Sequence, residues 1–381
     1  MQTSTPIIAC AVMLTALLVS GPSAPGGLTR RRATPIPRLQ IPPTGKLYHG
    51  VFPGGTSGME DDITAQQVGS YERTVGKEVA WIYFSHNWCY GTQFPMQTAV
   101  WIRELGAIPY VRLMLREESE TTPNRFGIEA ILAGTLDANF RAWAQQARRF
   151  GSPLLVEFGT ECNGEWFPWN GLHHGAGATN GFGDPNKPDG PERFAAAYRR
   201  IVRIMRHEGA HNITWVFHVN ATDWPEDSWN RFENYYPGDD FVDWIAVSAY
   251  GAQQPTDDEV ESFRAQMDPC YARLDRLAKS KPVIVAEFGC TTGCPLVALD
   301  AWAGAALDDI LGERWPRVIG FSWWNERWEN DDNPAHNTDM KVENSPRLAA
   351  VFHDRLSAAG DRVIQRPIIR PGLPPRTFRV P

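Results

Sequence analysis

Metal-binding spacing is missing from this chain. Its six cysteines form no CxxC pair, and no His/Cys spacing suggests zinc. The Asp184, Asn186 and Asp189 loop lacks the spacing of an EF-hand, so no metal is expected. No glycine-rich fingerprint follows the first strand-like segment, which argues against a dinucleotide fold. Positive charge is short as well: residues 45–360 hold 28 basic against 43 acidic residues, a net of −15. Such a body is a poor partner for nucleic acid. The apolar run at residues 7–19 is too short to span a bilayer comfortably. Tryptophan is absent from the first 80 and last 53 residues, yet fifteen lie between Trp81 and Trp328.

That distribution separates a folded body from two different ends. Residues 1–24 read as an export signal, although the first basic residue is Arg30 and Pro25 follows the small pair Ser23-Ala24. The expected location is therefore secreted, periplasmic or cell-surface. Residues 25–44 form a linker rich in proline and arginine, with no acidic residue. Residues 361–381 form a tail with five arginines, five prolines and a single acidic residue, Asp361. Both ends are expected to be solvated, or to touch an anionic envelope surface. With Cys10 inside the signal, Cys89, Cys162, Cys270, Cys290 and Cys294 remain. In an exported protein an odd count allows two disulfides and one thiol, with Cys290–Cys294 the most economical pair.

Between the ends, short β-branched or aromatic runs alternate with amphipathic stretches of helical period. Strands are expected at 47–52, 79–84, 109–115, 153–158, 213–218, 243–250, 282–288 and 317–323. Helices are expected at 60–74, 96–105, 126–149 with a break near Gly134, 192–207, 257–278, 297–311 and 346–358. Eight alternations without a hairpin signal imply parallel strands joined by crossovers. The simplest closure is an α/β fold, a (β/α)8 TIM barrel forming a single catalytic domain over 45–360. An open doubly wound sheet is the alternative.

Barrel sites are assembled at the C-terminal ends of the strands. Those ends carry His86 and Trp88, Arg112, Glu161 with Trp166, Asn220 and Trp224, Tyr250, Glu287, then Trp323 and Trp324. Val156, Val283, Val285 and Ile319, deeper in the strands, are apolar as a packed interior requires. Glu161 follows a buried-strand pattern and enters a turn-rich loop containing Trp166 and Trp169. Glu287 ends VIVAEFG, where an unpaired carboxylate would be costly; it has either a chemical task or a strand-end arginine as partner. Aromatic faces beside two carboxylates suit a sugar chain and its glycosidic bond. Trp81, Trp143, Trp215, Trp244 and Trp302 fall inside predicted elements and are expected in the core. Trp88, Trp169, Trp224, Trp229 and Trp328 lie in loops after strands, where some would line a cleft.

The segment Thr160-Glu161-Cys162-Asn163-Gly164-Glu165-Trp166-Phe167-Pro168-Trp169, with the 281–289 segment downstream, resembles glycoside hydrolase family 26. Members are mostly β-mannanases, with some β-1,3-xylanases and mixed-linkage β-glucanases. The resemblance implies a retaining endo-β-glycanase acting on β-1,4-linked mannan, with Glu161 as acid/base and Glu287 as nucleophile. It implies that Trp166 lies beneath the sugar at the cleavage point and that Tyr250 supports the nucleophile. Trp324, or Trp323, would be a further sugar platform, and Asn163, Trp88 and Trp169 are added as candidate substrate contacts. A polysaccharide substrate, no cofactor and a monomeric enzyme complete the expectation. Mixed-linkage β-glucan or β-1,3-xylan is the alternative substrate, and a non-catalytic glycan-binding barrel the alternative function. Two residues depart from the family pattern: Thr160 stands where histidine is usual, and Glu157 where arginine is usual. Glu157 shares strand parity with Glu161, so Arg112 on the neighbouring strand is its expected partner.

Overall fold

The computed structural model describes residues 36–55, 60–118 and 123–372. Eight parallel strands close into a barrel: β1 (Leu47–Phe52), β2 (Trp81–Asn87), β3 (Ile108–Met114), β4 (Leu154–Phe158), β5 (Ile213–Asn220), β6 (Trp244–Tyr250), β7 (Val283–Gly289) and β8 (Val318–Trp324). The closing contact is the β1–β8 ladder, from Tyr48 opposite Gly320 to Phe52 opposite Trp324. Helices cover the outside, among them α1 (Ala65–Val75), α2 (Met96–Glu104), α3 (Ile128–Ala133), α4 (Asp137–Phe150), α5 (Asp189–His207), α6 (Phe232–Tyr235), α7 (Phe263–Leu277), α8 (Leu299–Leu311) and α9 (Pro346–Ala359). No helix among the described residues is long and apolar enough to cross a membrane.

Local chemistry explains where the expected boundaries moved. Helix α1 starts at Ala65 rather than residue 60 because Thr64 and Gln67 form a reciprocal capping box. The expected break near Gly134 is real: that glycine has φ +82° and ends α3 in the left-handed conformation. Helix α7 waits until Phe263, where the Ser262 side chain caps the amide of Ala265. The five tryptophans expected in the core are all buried.

Residues 25–35 and 373–381 of the two ends lie outside the described residues, but the described parts of both ends carry strand pairings rather than standing free as expected. Ile36–Leu39 pairs antiparallel with Ile369–Gly372, and Val363–Ile364 extends the sheet beside β1. Three of their arginines are engaged: Arg38 reaches Asp243 at 2.8 Å, Arg362 reaches Glu313, and Arg366 reaches Glu78. The expected signal, residues 1–24, lies outside the described residues. The disulfide expectation is also corrected, since Cys89, Cys162, Cys270, Cys290 and Cys294 are all free thiols. Cys270 and Cys290 are buried, and desolvation pushes both thiols up to about 12.

The barrel floor is filled by one indole. Trp81 is fully buried, donates its Nε1–H to the Ser322 hydroxyl at 2.7 Å, and meets Tyr48 edge-on. Its slot exists because two facing positions lack a side chain. A Cβ at Gly50 would lie 2.1 Å from Trp81 Nε1, and one at Gly320 would lie 2.4 Å from its Cη2. Above Trp81 the interior is not the apolar stack expected. Tyr83, Tyr110, Glu157, His218 and Ser248 meet there through hydrogen bonds. Val156 and Ile319 instead share the strand parity of Phe158 and Trp323, which pack on Phe194 of α5 and Phe352 of α9.

Gly50→Ala is expected to destabilise the fold by about 1–3 kcal/mol through overpacking against Trp81. Urea unfolding would read this loss, and Gly50→Ala with Trp81→Phe should recover part of it.

Candidate active site

A cleft of about 900 Å³ opens at the C-terminal ends of the strands. Glu161, from the loop after β4, and Glu287, from β7, both line it. Trp166, Phe167, Tyr250, Trp324 and Trp328 supply its aromatic surface.

The turn after β4 is tightly specified. Gly159 has φ +72°, and a Cβ there would strike the Phe194 ring at 2.2 Å. Glu161 itself is left-handed at φ +48°, a conformation uncommon for a side-chain-bearing residue and frequent at functional sites. Its carboxylate accepts from Trp166 Nε1 at 2.7 Å and from Asn220 Nδ2 at 3.1 Å. Gly164 makes the first bond possible, because a Cβ there would sit 2.3 Å from the Trp166 ring. Trp166 remains 45% exposed, with its ring open to the cleft.

Glu287 is buried, with donor groups on several sides. Tyr250 donates to Oε2 at 2.8 Å, while Tyr83 and Arg112 approach Oε1 at 2.9 and 3.3 Å. Desolvation pushes its carboxyl up to about 7; Arg112 opposes the shift and the charge of Glu161 adds to it. Arg112 also pairs with Glu60 at 3.4 Å, and its guanidinium packs on the Phe167 and Trp324 rings.

The proposed Glu157–Arg112 pair is not formed, although the two are register partners on β3 and β4. Arg112 turns towards Glu287 and Glu60, and the basic group beside Glu157 is instead the His218 imidazole, with Nδ1 at 3.0 Å. Glu157 is fully buried and takes further bonds from Tyr83 and Tyr110, both at 2.5 Å, and from the Thr160 hydroxyl. Burial alone would raise its carboxyl, but His218 and these hydroxyls outweigh it and hold it at about 2. Burial works to lower His218, and Glu157 reverses that, leaving the imidazole above its ordinary value. Glu157, His218 and Glu287 also bring three potential metal donors within 4.8 Å of one another. Each side chain is already engaged in the hydrogen bonds described above.

Other expected substrate contacts are placed elsewhere. Trp88 is buried against Phe126 and Phe140, and Trp323 is buried against Phe288 and Phe352. Trp169 lies behind the cleft, stacked on Phe167 and bonded to the Thr160 carbonyl. Asn163 is buried and ties the loop to β5 through Asn220 and Asp223, thereby positioning the amide that reaches Glu161. His174 is buried between Glu129 and the Pro168 carbonyl.

Several groups at the site were not singled out from sequence. Tyr83 and His218 lie two residues from Trp81 and Asn220, so inward strand parity could have found them. Glu60 and Phe167 lie in loops, where parity says nothing. Glu326 lines the cleft two residues past Trp324 and is only 4% exposed. Its Oε2 accepts from Trp324 Nε1 at 3.2 Å, while Oε1 has no hydrogen-bond partner. Desolvation, reinforced by Glu60, raises this carboxyl to about 8.

A carboxyl raised in the folded state stabilises most below its unfolded value, and that stability is lost as pH rises through the folded value. Glu326→Gln removes the ionisable group. Its melting temperature relative to the parent protein is expected to climb between pH 5 and pH 8; a difference flat across that range would contradict the assignment.

The chain is similar to several known carbohydrate enzymes. Residues 126–284 match the family model Glycosyl hydrolase family 26. Endoglucanase H of Acetivibrio thermocellus is 26% identical over 325 residues, covering 84% of this chain and 32% of that protein. Mannan endo-1,4-beta-mannosidase A and B of Caldalkalibacillus mannanilyticus is 26% identical over 174 residues, covering 45% and 28%. The chain thus spans about a third of the length of these curated relatives. A solved GH26 beta-mannanase from Bacteroides ovatus shares the fold with a TM-score of 0.57 at 14% identity, over 84% of this chain and 90% of that one. Bacillus subtilis mannanase does so at 0.53 and 18%, over 82% and 86%.

Proposed function

We propose that this chain, which resembles glycosyl hydrolase family 26, is a retaining endo-β-glycanase with Glu161 as acid/base and Glu287 as nucleophile. The observation that carries this reading is that both carboxylates, one from the loop after β4 and one from β7, line one aromatic-walled cleft. Glu287 attacks the anomeric carbon while Glu161 protonates the departing oxygen, giving a covalent glycosyl-enzyme. Glu161, now ionised, then activates the water that hydrolyses the ester. Arg112 and Tyr250 hold the Glu287 oxygens, and Trp166 and Asn220 orient Glu161. Trp166, Phe167 and Trp324 supply faces against which the apolar side of a pyranose can lie.

The proposed substrate is a β-1,4-mannan-type polysaccharide, following the mannosidases among the relatives. A β-glucan is the second reading, favoured by the relative named as an endoglucanase, which aligns over far more of the chain than the mannosidases do. Action outside the cytoplasm follows from the size of such substrates and the signal-like start, and belongs to the same proposal.

Reducing-end release from β-mannan, mixed-linkage β-glucan and β-1,3-xylan separates the substrates; glycan retention without release on all three would favour a binding barrel instead. Glu161→Ala is expected to lose ~10²–10⁴-fold on poor leaving groups. External azide should rescue it on an aryl glycoside with a good leaving group, forming a β-glycosyl azide. Glu287→Ala should abolish turnover without rescue of that product. Because burial holds Glu287 near 7, kcat/KM of the parent enzyme should decline as pH drops below that value and Glu287 takes up a proton.

A further inference from the structure

We propose that Glu157 and His218 form a buried charge pair that governs, through the single hydroxyl proton of Tyr83, how readily Glu287 ionises. The inference rests on Glu287 being the nucleophile. It concerns Glu157 and Thr160, the two positions at which the sequence departs from the family pattern it resembles.

Proton counting carries it. Tyr83 Oη lies 2.5 Å from Glu157 Oε1 and 2.9 Å from Glu287 Oε1. One hydroxyl donates one proton, so only one carboxylate can receive it at a time. While Tyr83 donates to Glu157, its contact with Glu287 is satisfied only by a protonated Glu287, which cannot attack carbon. When Tyr83 turns its proton to Glu287, the ionised nucleophile gains a donor. Glu157 and Glu287 therefore compete for one proton.

The other donors to Glu157 decide that competition. His218 Nδ1, Tyr110 and Thr160 all contact the Glu157 carboxylate, and His218 is anchored behind by Ser248 Oγ at 2.7 Å. With the imidazolium in place, Glu157 is neutralised and Tyr83 is released to the nucleophile. Without it, a bare charge in the barrel centre draws the Tyr83 proton and repels ionisation of Glu287. The remaining charged and titratable groups around Glu287 are Arg112 with Glu60, Glu161 and Tyr250. Tyr198 faces Glu157 from α5, at longer range. None of these donates to Glu157. Glu157, His218 and Tyr83 are thus positioning residues, acting on substrate only through Glu287.

The test is the acid limb of kcat/KM against pH, measured on carob galactomannan or barley β-glucan, whichever is hydrolysed. Glu157→Gln relieves the competition and should move the limb to lower pH by at least about half a unit, roughly threefold in rate at a fixed pH on the limb. His218→Gln leaves Glu157 uncompensated and should move the limb up by a similar amount. Thr160→Val removes one donor from Glu157 without changing side-chain shape, so it should shift the limb upward even if His218→Gln fails to fold. Adding Tyr83→Phe should shrink the Glu157→Gln shift, because the shared proton is gone and only the direct charge effect remains.

A merely structural pair would lower melting temperatures and plateau rates while leaving every limb in place, and that result overturns the inference. Trapping with 2-deoxy-2-fluoro-β-mannobiosyl or β-cellobiosyl fluoride, followed by peptide mass spectrometry, separates the two levels. A tag on Glu287 with coincident limbs defeats the proton competition alone. A tag on another residue, or hydrolysis of neither glycan, removes the nucleophile assignment and this inference with it.

Discussion

A carboxylate with no exposed surface sits at the centre of this barrel, and the side chains around it make sense once its cost is considered. Moving an ionised carboxylate out of water costs several kcal/mol even after relaxation, unless charge and hydrogen bonds replace the lost hydration. Glu157 obtains that replacement from one imidazole and three hydroxyls drawn from β2, β3, β5 and the turn after β4. Supplying those donors commits inward positions on β2, β3 and β5. A polar middle layer results, set between an indole floor and an aromatic rim. The layer leaves no room for an apolar plug, and it connects directly to Glu287 above it.

Arg112 illustrates how the same constraint divides labour. Electrostatics at the level of sequence matched it with Glu157, since the two occupy register positions on adjacent strands. In the barrel a guanidinium at the rim reaches Glu60 and Glu287, where its edge also packs on Phe167 and Trp324. Glu157, its register partner, takes the more compact imidazole of His218 instead. Partner choice here is set by how far each side chain extends as much as by strand adjacency.

The eight strands were legible because buried parallel strands leave short apolar runs, and β1 matches its expected bounds. Glu161 and Glu287 were legible because strand ends in a barrel converge on one mouth. The aromatic contacts were less so. Trp323 and Trp324 are adjacent, yet one faces Phe352 of α9 and the other the cleft, a distinction that depends on strand parity to a single residue. Trp88 and Trp169 carry the composition of a sugar platform, but loop geometry turns them inward. The described parts of the proline- and arginine-rich ends misled for a different reason. Their composition is that of a solvated linker, and only tertiary contacts with Asp243, Glu313 and Glu78 reveal that they are built in.

Those built-in ends have a mechanical side. Ile36 stands opposite Gly372 and Leu39 opposite Ile369, so the two ends of the folded body run antiparallel within one ladder. Pro37 faces Pro371, and neither can donate to that ladder, which leaves Arg38 as the firmer fastening through Asp243 and the Ile213 carbonyl. Tension applied between residues 36 and 372 would therefore peel the pair rung by rung before it loaded the barrel. In topological terms the domain is a ring short of one covalent link. A brief connector across that gap would close it, freeing the break in the chain to be moved to a surface turn with the strand order intact.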